Sequence, residues 1–209
     1  EPSPWETRRQ AAPVGWCSKN DSPVAAKGNF AVARVMSGRG DRANAERLGR
    51  GPWRRDGMTE DPETAALDLF GALLTAGDHK ARMDFMLYGS EHEAAGLREA
   101  KRLGSGHLAL AKARIAANKK APNTRALLEA VPHELHGDPG FIFSKIQLLR
   151  REEKFNEAAQ LMVAAPKDPN RLHNLDEWWI ERRLLSRKML DAGEHRTAYL
   201  IARDAALPS

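Results

Sequence analysis

The sequence predicts an all-α protein built as a superhelical stack of antiparallel helical hairpins, a tetratricopeptide-like α-solenoid. Apolar residues recur at helical spacing from Thr59 onward. No segment shows the sustained alternation of β-branched or aromatic residues that is typical of strands. Similar helix–turn–helix segments return at intervals of about 34 to 40 residues, the period of stacked helical hairpins. The alternative to such a stack is an irregular helical bundle.

The composition is that of a folded protein with a mild basic excess. Hydrophobic residues make up 42% of the 209 residues and charged residues 29%, which excludes a wholly disordered chain. The formal net charge is +5, too small to indicate nucleic-acid binding by itself. The single cysteine, Cys17, excludes an intramolecular disulfide and a cysteine-based zinc cluster. No apolar run approaches the roughly 18 residues of a membrane span.

The N-terminal part differs in amino-acid composition from the rest of the chain. Residues 1–22 contain three prolines and polar turn formers, which predict an extended or poorly ordered segment. The superhelical repeat domain is expected over residues 23–209. Its first elements are short helices over about 24–36 and 41–48, ended by the glycines around them and by Pro52.

From Thr59 the predicted helices follow one another closely. Thr59 offers an N-cap, and Asp78 begins a helix that places three apolar residues inward, namely Met83, Met86 and Leu87. Ser90 and Glu93 have the spacing of a capping box for a helix that runs to about Leu103. Gly104 and Gly106 are expected to separate it from a helix over residues 107–118.

The internal repeat is the strongest signal in the sequence. Residues 111–132 and 144–166 both comprise a helix, a short polar turn, a second helix with adjacent apolar residues and a terminating proline. A third copy begins at Arg182. Equivalent inner positions of these copies predict a mostly buried set: Leu127, Leu128, Leu148, Leu161, Met162, Leu184, Leu185 and Tyr199.

No convincing catalytic or metal site emerges from the residue spacing. His133 and His136 lack a third ligand and the register of a metalloprotease motif, so we expect loop histidines on the solvent side. The acidic pairs 152–153 and 176–177 are adjacent on helices and project about 100° apart, so neither pair faces one ligand. We therefore assign no catalytic residue, no metal and no cofactor.

Two groups of residues are candidates for weak binding of an anionic polymer. One is an arginine series with Trp53 among its members: Arg34, Arg39, Arg42, Arg47, Arg50, Arg54 and Arg55. The other comprises Trp178, Trp179, Arg182 and Arg183, where an exposed indole beside arginines would stack on a sugar ring. The alternative is that the arginines form a solvated face and the tryptophans pack between hairpins.

Three segments carry a family resemblance: DHKARMDFMLYGSEHEAAGLREAKRLGSGHLALAKARIA, DPGFIFSKIQLLRREEKFNEAAQLMVAAPKDP and above all LDEWWIERRLLSRKMLDAGEHRTAYLIARDAALP. They resemble the N-terminal α-superhelical region of large periplasmic soluble lytic murein transglycosylases. These enzymes cleave the β-1,4 bond between N-acetylmuramic acid and N-acetylglucosamine and leave a 1,6-anhydro end. The resemblance implies a periplasmic location after removal of a signal peptide.

The sequence departs from the pattern of the whole enzyme. The family's catalytic glutamate is followed by serine, and no glutamate here is followed by serine. We therefore expect a scaffold region without its lysozyme-like catalytic domain and without activity alone. Peptidoglycan strands, the catalytic domain or other cell-wall proteins are the expected partners, with no nucleic acid and no membrane span. A stand-alone tetratricopeptide-like adaptor for a protein partner is the alternative, and a nucleic-acid-binding repeat is a third hypothesis.

Overall fold

The computed structural model describes residues 32–33, 35–55 and 57–204. Within these ranges the chain is helical and contains no strand, so the all-α prediction is confirmed. The predicted N-terminal segment 1–22, Cys17, Arg34 and most of the predicted helix over 24–36 lie outside the described residues. No helix in the described ranges combines the length and apolar character needed to cross a membrane.

The helices follow one another with short connections. They are α1 (Arg42–Arg55), α2 (Glu60–Phe70), α3 (Ala76–Met86), α4 (Glu93–Leu103), α5 (Ser105–Asn118), α6 (Thr124–Glu129), α7 (Pro139–Arg151), α8 (Phe155–Ala164), α9 (Pro169–Leu172), α10 (Leu175–Asp191) and α11 (His195–Arg203). Two 3-10 turns, Gly71–Leu73 and His133–Leu135, complete the described elements. The chain divides into two compact units, Glu1–Arg82 and Met83–Ser209.

In the first unit, α1 is longer than the sequence predicts. It continues to Arg55 with Pro52 inside it, so the expectation that glycines and Pro52 end a helix near residue 48 is wrong. The physical reason is tertiary packing: Trp53, in the last turn of α1, is fully buried and lies edge-on to Phe70, with ring centroids 5.8 Å apart. Burial of a tryptophan outweighs the local preference of proline for a helix end.

A buried carboxylate links α1 to the start of α3. Asp78 is fully buried and accepts hydrogen bonds from the Thr75 amide (2.8 Å) and hydroxyl (2.7 Å) and from Arg54 Nη2 (2.6 Å). Arg50 lies 3.3 Å from the same carboxylate. Burial alone raises the pKa of Asp78, but the hydrogen bonds from Thr75 and Arg54 outweigh it, so the pKa is lowered.

In the second unit, helices that are neighbours in sequence pack on one another. The pairs are α4 with α5, α5 with α6, α7 with α8, and α10 with α11, and further contacts join α5 to α7 and α8 to α10. Side-chain caps fix three of the helix starts: Asp138 for α7, Asp168 for α9 and Asn174 for α10. Gly193, with φ of 79°, allows the sharp turn between α10 and α11.

Two of the local predictions in this unit are wrong in detail. The helix that ends at Leu103 begins at Glu93 with His92 as its N-cap, so Ser90 forms no capping box. The next helix begins at Ser105 and includes Gly106, so only Gly104, with φ of 108°, interrupts the chain there. The three residues predicted to point inward from α3 and just after it, Met83, Met86 and Leu87, are all buried as expected.

The predicted inner face of the repeats is correct for part of its set. Leu128, Met162 and Leu185 are buried, whereas Leu127, Leu148 and Leu161 are half-buried and pack against the core from its edge. Leu184 and Tyr199 are exposed, and this part of the prediction is wrong. The inner face of α11 is formed by Ala198 and Ile201, and Tyr199 is on the solvent side because successive helical residues are rotated by about 100°.

The difference in burial between Leu161 and Met162, adjacent residues of α8, tests which side of this helix faces the core. We expect Met162→Ala to lower the free energy of unfolding by about 2–5 kcal/mol, because the side chain is fully enclosed and leaves a cavity. Leu161→Ala should have a smaller effect, since Leu161 is half-buried. Urea unfolding followed by circular dichroism measures the free energy of unfolding of both variants. Equal decreases would contradict the assignment of Met162, rather than Leu161, to the core side of α8.

The Asp78 carboxylate predicts a pH dependence of stability. Because its pKa is lower in the folded than in the unfolded chain, its contribution is fully present above about pH 4 and is lost as the pH falls through the lower folded-state pKa. The parent should therefore lose stability below about pH 4 more steeply than Asp78→Asn. Chemical unfolding at several pH values tests this, with Asp68→Asn on the exposed side of α2 as control.

Candidate functional site

The four predicted binding residues lie on α10 but on two different sides of it. Trp178 and Arg182 are each only 1% exposed, whereas Trp179 is 36% exposed and Arg183 is fully on the surface. Successive residues of a helix are rotated by about 100°, so neighbouring tryptophans must diverge. A polymer approaching from solvent can reach Trp179 and Arg183 only, and the assignment of Trp178 and Arg182 to a surface contact does not fit their burial.

Trp178 is a core residue with a specific polar partner. Its Nε1 donates a hydrogen bond to the Tyr88 hydroxyl at 2.9 Å, across 90 residues of sequence. Phe143 from α7 contacts both rings, with centroid distances of 5.1 Å to Trp178 and 5.2 Å to Tyr88. Burial raises the pKa of Tyr88 far above its usual range, so this hydroxyl stays protonated. The indole therefore anchors α10 to the core.

A buried ion pair lies next to the ring of Tyr88. The Arg114 guanidinium is 4.9 Å from the centroid of the Tyr88 ring and donates from Nη1 to the Asp84 carboxylate at 2.7 Å. Its Nη2 donates to the Asp84 carbonyl oxygen at 3.0 Å. His173 Nε2 lies 3.6 Å from the second oxygen of Asp84. The pair is buried, and the contact of the Arg114 guanidinium with the ring helps to fix the position of Tyr88.

A second ion pair sets the rotation of α10. Glu181 is buried and accepts two hydrogen bonds from Arg150 of α7, at 2.7 and 2.8 Å, which raise the pKa of Arg150. Gln147 donates to Glu181 from one turn earlier, at 3.4 Å. Glu177 lies one turn before Glu181. Its pKa is raised, mainly by burial and to a smaller extent by the negative charges of Glu181 and Asp176. The Glu181 carboxylate therefore joins α10 to α7.

Arg182 is a buried cation with one hydrogen bond. Its Nη1 donates to the Ile201 carbonyl oxygen of α11 at 3.1 Å, while Nε and Nη2 have no hydrogen-bond partner among the described residues. Burial lowers the pKa of Arg182 and the charge of Asp204 raises it, with a net lowering. The guanidinium holds α11 against α10 and is not available to an external ligand.

The solvent side of α10 is unusually apolar. We define the outer face of α10 as six of its exposed residues: Trp179, Ile180, Arg183, Leu184, Arg187 and Leu190. Five of the six large hydrophobic side chains that are exposed in the described chain lie on α10 and α11: Trp179, Ile180, Leu184, Leu190 and Tyr199. Contiguous exposed apolar residues of this kind mark interaction surfaces. The exposed charges of α10 are of both signs, with Arg183, Arg187 and Lys188 against Asp176 and Asp191, so the basic excess is small.

The sequence contained a signal for this surface that the repeat alignment missed. Apolar residues occupy positions 178, 179, 180, 184, 185, 189 and 190, which is too many for one side of a helix. The repeat placed Leu184 inside together with Leu185, but adjacent helical residues are rotated by about 100°, and here Leu185 is buried and Leu184 is exposed. Counting the excess apolar positions identifies Ile180, Leu184 and Leu190 as members of an exposed face.

The arginine series near the N-terminus does not form a binding site with Trp53. Trp53 is fully buried, and Arg82 lies over its ring at 4.5 Å while donating to its carbonyl oxygen and to Glu63. Arg50 and Arg54 bond to Asp78, as described above. Of the predicted series, Arg39, Arg47, Arg54 and Arg55 are exposed. Among the described residues of this series, the surface arginines therefore have no accessible Trp53 ring beside them.

The two histidines next to α7 have structural contacts. His136 stacks on Phe141 with ring centroids 4.4 Å apart, and its Nε2 lies 3.0 Å from the Val131 carbonyl oxygen. His133 lies beside it in the 3-10 turn, on the surface. Among the described residues, no group of three or more histidine, cysteine or acidic side chains is arranged to hold a metal ion.

Comparison with known proteins adds no identification to this geometry. The chain matches no family model, no curated protein and no solved structure.

The Trp178–Tyr88 hydrogen bond can be tested by removing one oxygen atom. We expect Tyr88→Phe to lower the free energy of unfolding by about 1–3 kcal/mol, because the buried indole N–H loses its acceptor. Urea unfolding gives the size of the loss. Tyr199→Phe is the matched control, since Tyr199 is 63% exposed and its change should leave stability unaltered. Equal stabilities of the parent and Tyr88→Phe would contradict this role of the hydroxyl.

Proposed function

We propose that this chain is a helical scaffold region of a periplasmic soluble lytic murein transglycosylase and that it positions peptidoglycan strands or the catalytic domain of its parent enzyme. The observation that carries the proposal is the outer face of α10, where an exposed indole lies among arginines. The choice of peptidoglycan as the bound polymer comes from the family resemblance of the sequence. The residues that contact it are Trp179, Arg183 and Arg187 rather than the buried Trp178 and Arg182.

The proposal includes a solenoid arrangement of the helix pairs in the second unit. Polar contacts between helices recur at similar sequence separations, which is what a repeated stack produces. Arg114 donates to the Asp84 carbonyl 30 residues earlier, Arg151 donates to the Ala117 carbonyl 34 residues earlier, and Gln147 donates to Glu181 34 residues later. The two separations of 34 residues equal the shorter end of the 34-to-40-residue period of the sequence repeat, and the separation of 30 is a little below it.

The chemistry of the outer face suits a glycan that carries carboxylates. The flat face of Trp179 can stack on the apolar side of a sugar ring, and the neighbouring arginines can pair with lactyl or peptide carboxylates. Exposed pairs of this type contribute about 0–1 kcal/mol each, so several must act together. Salt at 0.15 M limits the reach of the charges to about 8 Å. Binding should therefore be weak and sensitive to salt.

A second candidate function rests on the aliphatic part of the same face. Ile180 and Leu184 lie one turn apart and are both exposed, an arrangement that favours an apolar protein partner over a sugar. Under this alternative the chain is a tetratricopeptide-like adaptor. The two functions differ in their response to substitution, because a glycan depends on Trp179 and the arginines, whereas a protein partner depends on Ile180 and Leu184.

Co-sedimentation with purified peptidoglycan sacculi tests the proposal. We expect the parent to bind at low salt and to be released at high salt, because the contact is electrostatic in part. Arg183→Gln with Arg187→Gln, and separately Trp179→Ala, should each weaken binding by about fivefold or more.

Arg171→Gln is the charge-matched control, since it removes an exposed arginine outside α10 and should leave binding unchanged. Sacculi binding that ignores salt and both sets of substitutions would refute the outer face as the glycan contact. Loss of binding in Ile180→Ser with Leu184→Ser but not in Trp179→Ala would favour the adaptor function.

A further inference from the structure

A groove lies between α8 and the turn that joins α10 to α11. Its volume is about 260 Å³, and it is lined by Asn156, Ala159, Gln160, Met189, Glu194 and Thr197. Ala159 and Met189 are buried and form an apolar floor. None of the lining residues belongs to the outer face of α10, so the groove is a separate candidate site.

Helix geometry places the polar lining residues in two rows. Asn156 and Gln160 are one turn apart on α8, and Glu194 and Thr197 are three residues apart at the start of α11. Within the described part of the chain, the side chains of these four residues make no hydrogen bond or ion pair with one another or with other residues. Their donors and acceptors are therefore available to a ligand.

The chemistry of the lining selects a particular ligand. The only charged lining residue is the Glu194 carboxylate, which favours a cation and disfavours an anion. An ammonium group has three donors, which the carboxylate and the side-chain oxygens of Asn156 and Gln160 can accept. Each carboxamide also has donors left for an amide carbonyl of the ligand. The apolar floor can cover methylene groups.

We propose that this groove binds a primary ammonium group on an aliphatic stem beside an amide, which is the chemistry of a lysine-like diamino acid residue in a peptide. The volume lies just below the range of about 300–1,000 Å³ for sites that hold drug-sized ligands, so one such residue fits. The inference does not depend on the proposed function, because the groove and the outer face share no residue.

Titration of the full ¹⁵N-labelled chain with Nα-acetyl-L-lysine methylamide tests the inference. We expect fast-exchange shifts of the amide signals of Asn156, Gln160 and residues 194–197, with a dissociation constant of about millimolar order for so small a ligand. The norleucine analogue, which has the stem and the amides but no amine, should bind several-fold more weakly. N-acetylglucosamine is the probe for a neutral sugar and should cause no shifts in the groove.

Substitution of Glu194, compared with substitution of a carboxylate outside the groove, tests whether the ammonium group binds next to Glu194. Glu194→Gln should weaken binding of the lysine derivative by about fivefold, the effect of one exposed ion pair, and should leave binding of the norleucine analogue unchanged. Glu157→Gln is the control, because Glu157 is exposed on α8 and does not line the groove. Shifts outside the groove, equal binding of both analogues, or no effect of Glu194→Gln would each overturn the proposal. Shifts with N-acetylglucosamine alone would reassign the groove to a sugar.

Discussion

The pairing of the buried Arg114 guanidinium with Asp84 is the constraint on which the second unit depends. Arginine stays protonated in proteins, so enclosing its guanidinium costs less free energy where acceptors surround it. The Asp84 carboxylate, its own carbonyl oxygen and the face of Tyr88 provide them. A Cβ at Gly140, the second residue of α7, would lie 2.5 Å from the guanidinium carbon, so any larger residue there would have to displace the guanidinium. Tyr88, held in this way, accepts from Trp178 and so orients α10.

The same solution occurs independently in the first unit. Arg82 is fully buried over the ring of Trp53, donates to its carbonyl oxygen and pairs with Glu63 at 3.3 Å. In both cases a cation, an aromatic ring, a carboxylate and a carbonyl oxygen form one enclosed group. Buried ion pairs of this kind contribute little net stability, because desolvation opposes the attraction, but an unpaired member is costly. A packing of these helices that separated either pair would carry that cost.

Sequence patterns predicted the helices well and the direction of individual side chains less well. Periodicity was sufficient for the all-α class and for buried Met83, Leu128 and Met162, because these depend on local spacing. It failed where distant packing decides: Trp53 extends a helix through Pro52, and α11 turns Tyr199 outward so that Ile201 fits inside.

The sequence singled out the segment 178–183 as a candidate binding segment. Half of its residues are interior in the structure, including Trp178 and Arg182. No sequence rule places a charged residue such as Arg182 in a core without a carboxylate partner, since its one acceptor is a main-chain carbonyl of another helix. The groove next to α8 was not predicted at all, because it brings together residues from two separate segments of the chain, 156–160 and 189–197.

The adjacent tryptophans have a consequence for how α10 can change during evolution. Trp178 lies inside and Trp179 outside, so the helix has a single acceptable rotation relative to Tyr88 and Arg150. Inserting or deleting one residue between Asn174 and Trp178 would rotate the rest of the helix by about 100° relative to its cap. The indole that should meet Tyr88 would then move out of reach, and Glu181 would leave Arg150. Homologous chains that keep this core should therefore vary by substitution within α10 and vary in length only at its ends.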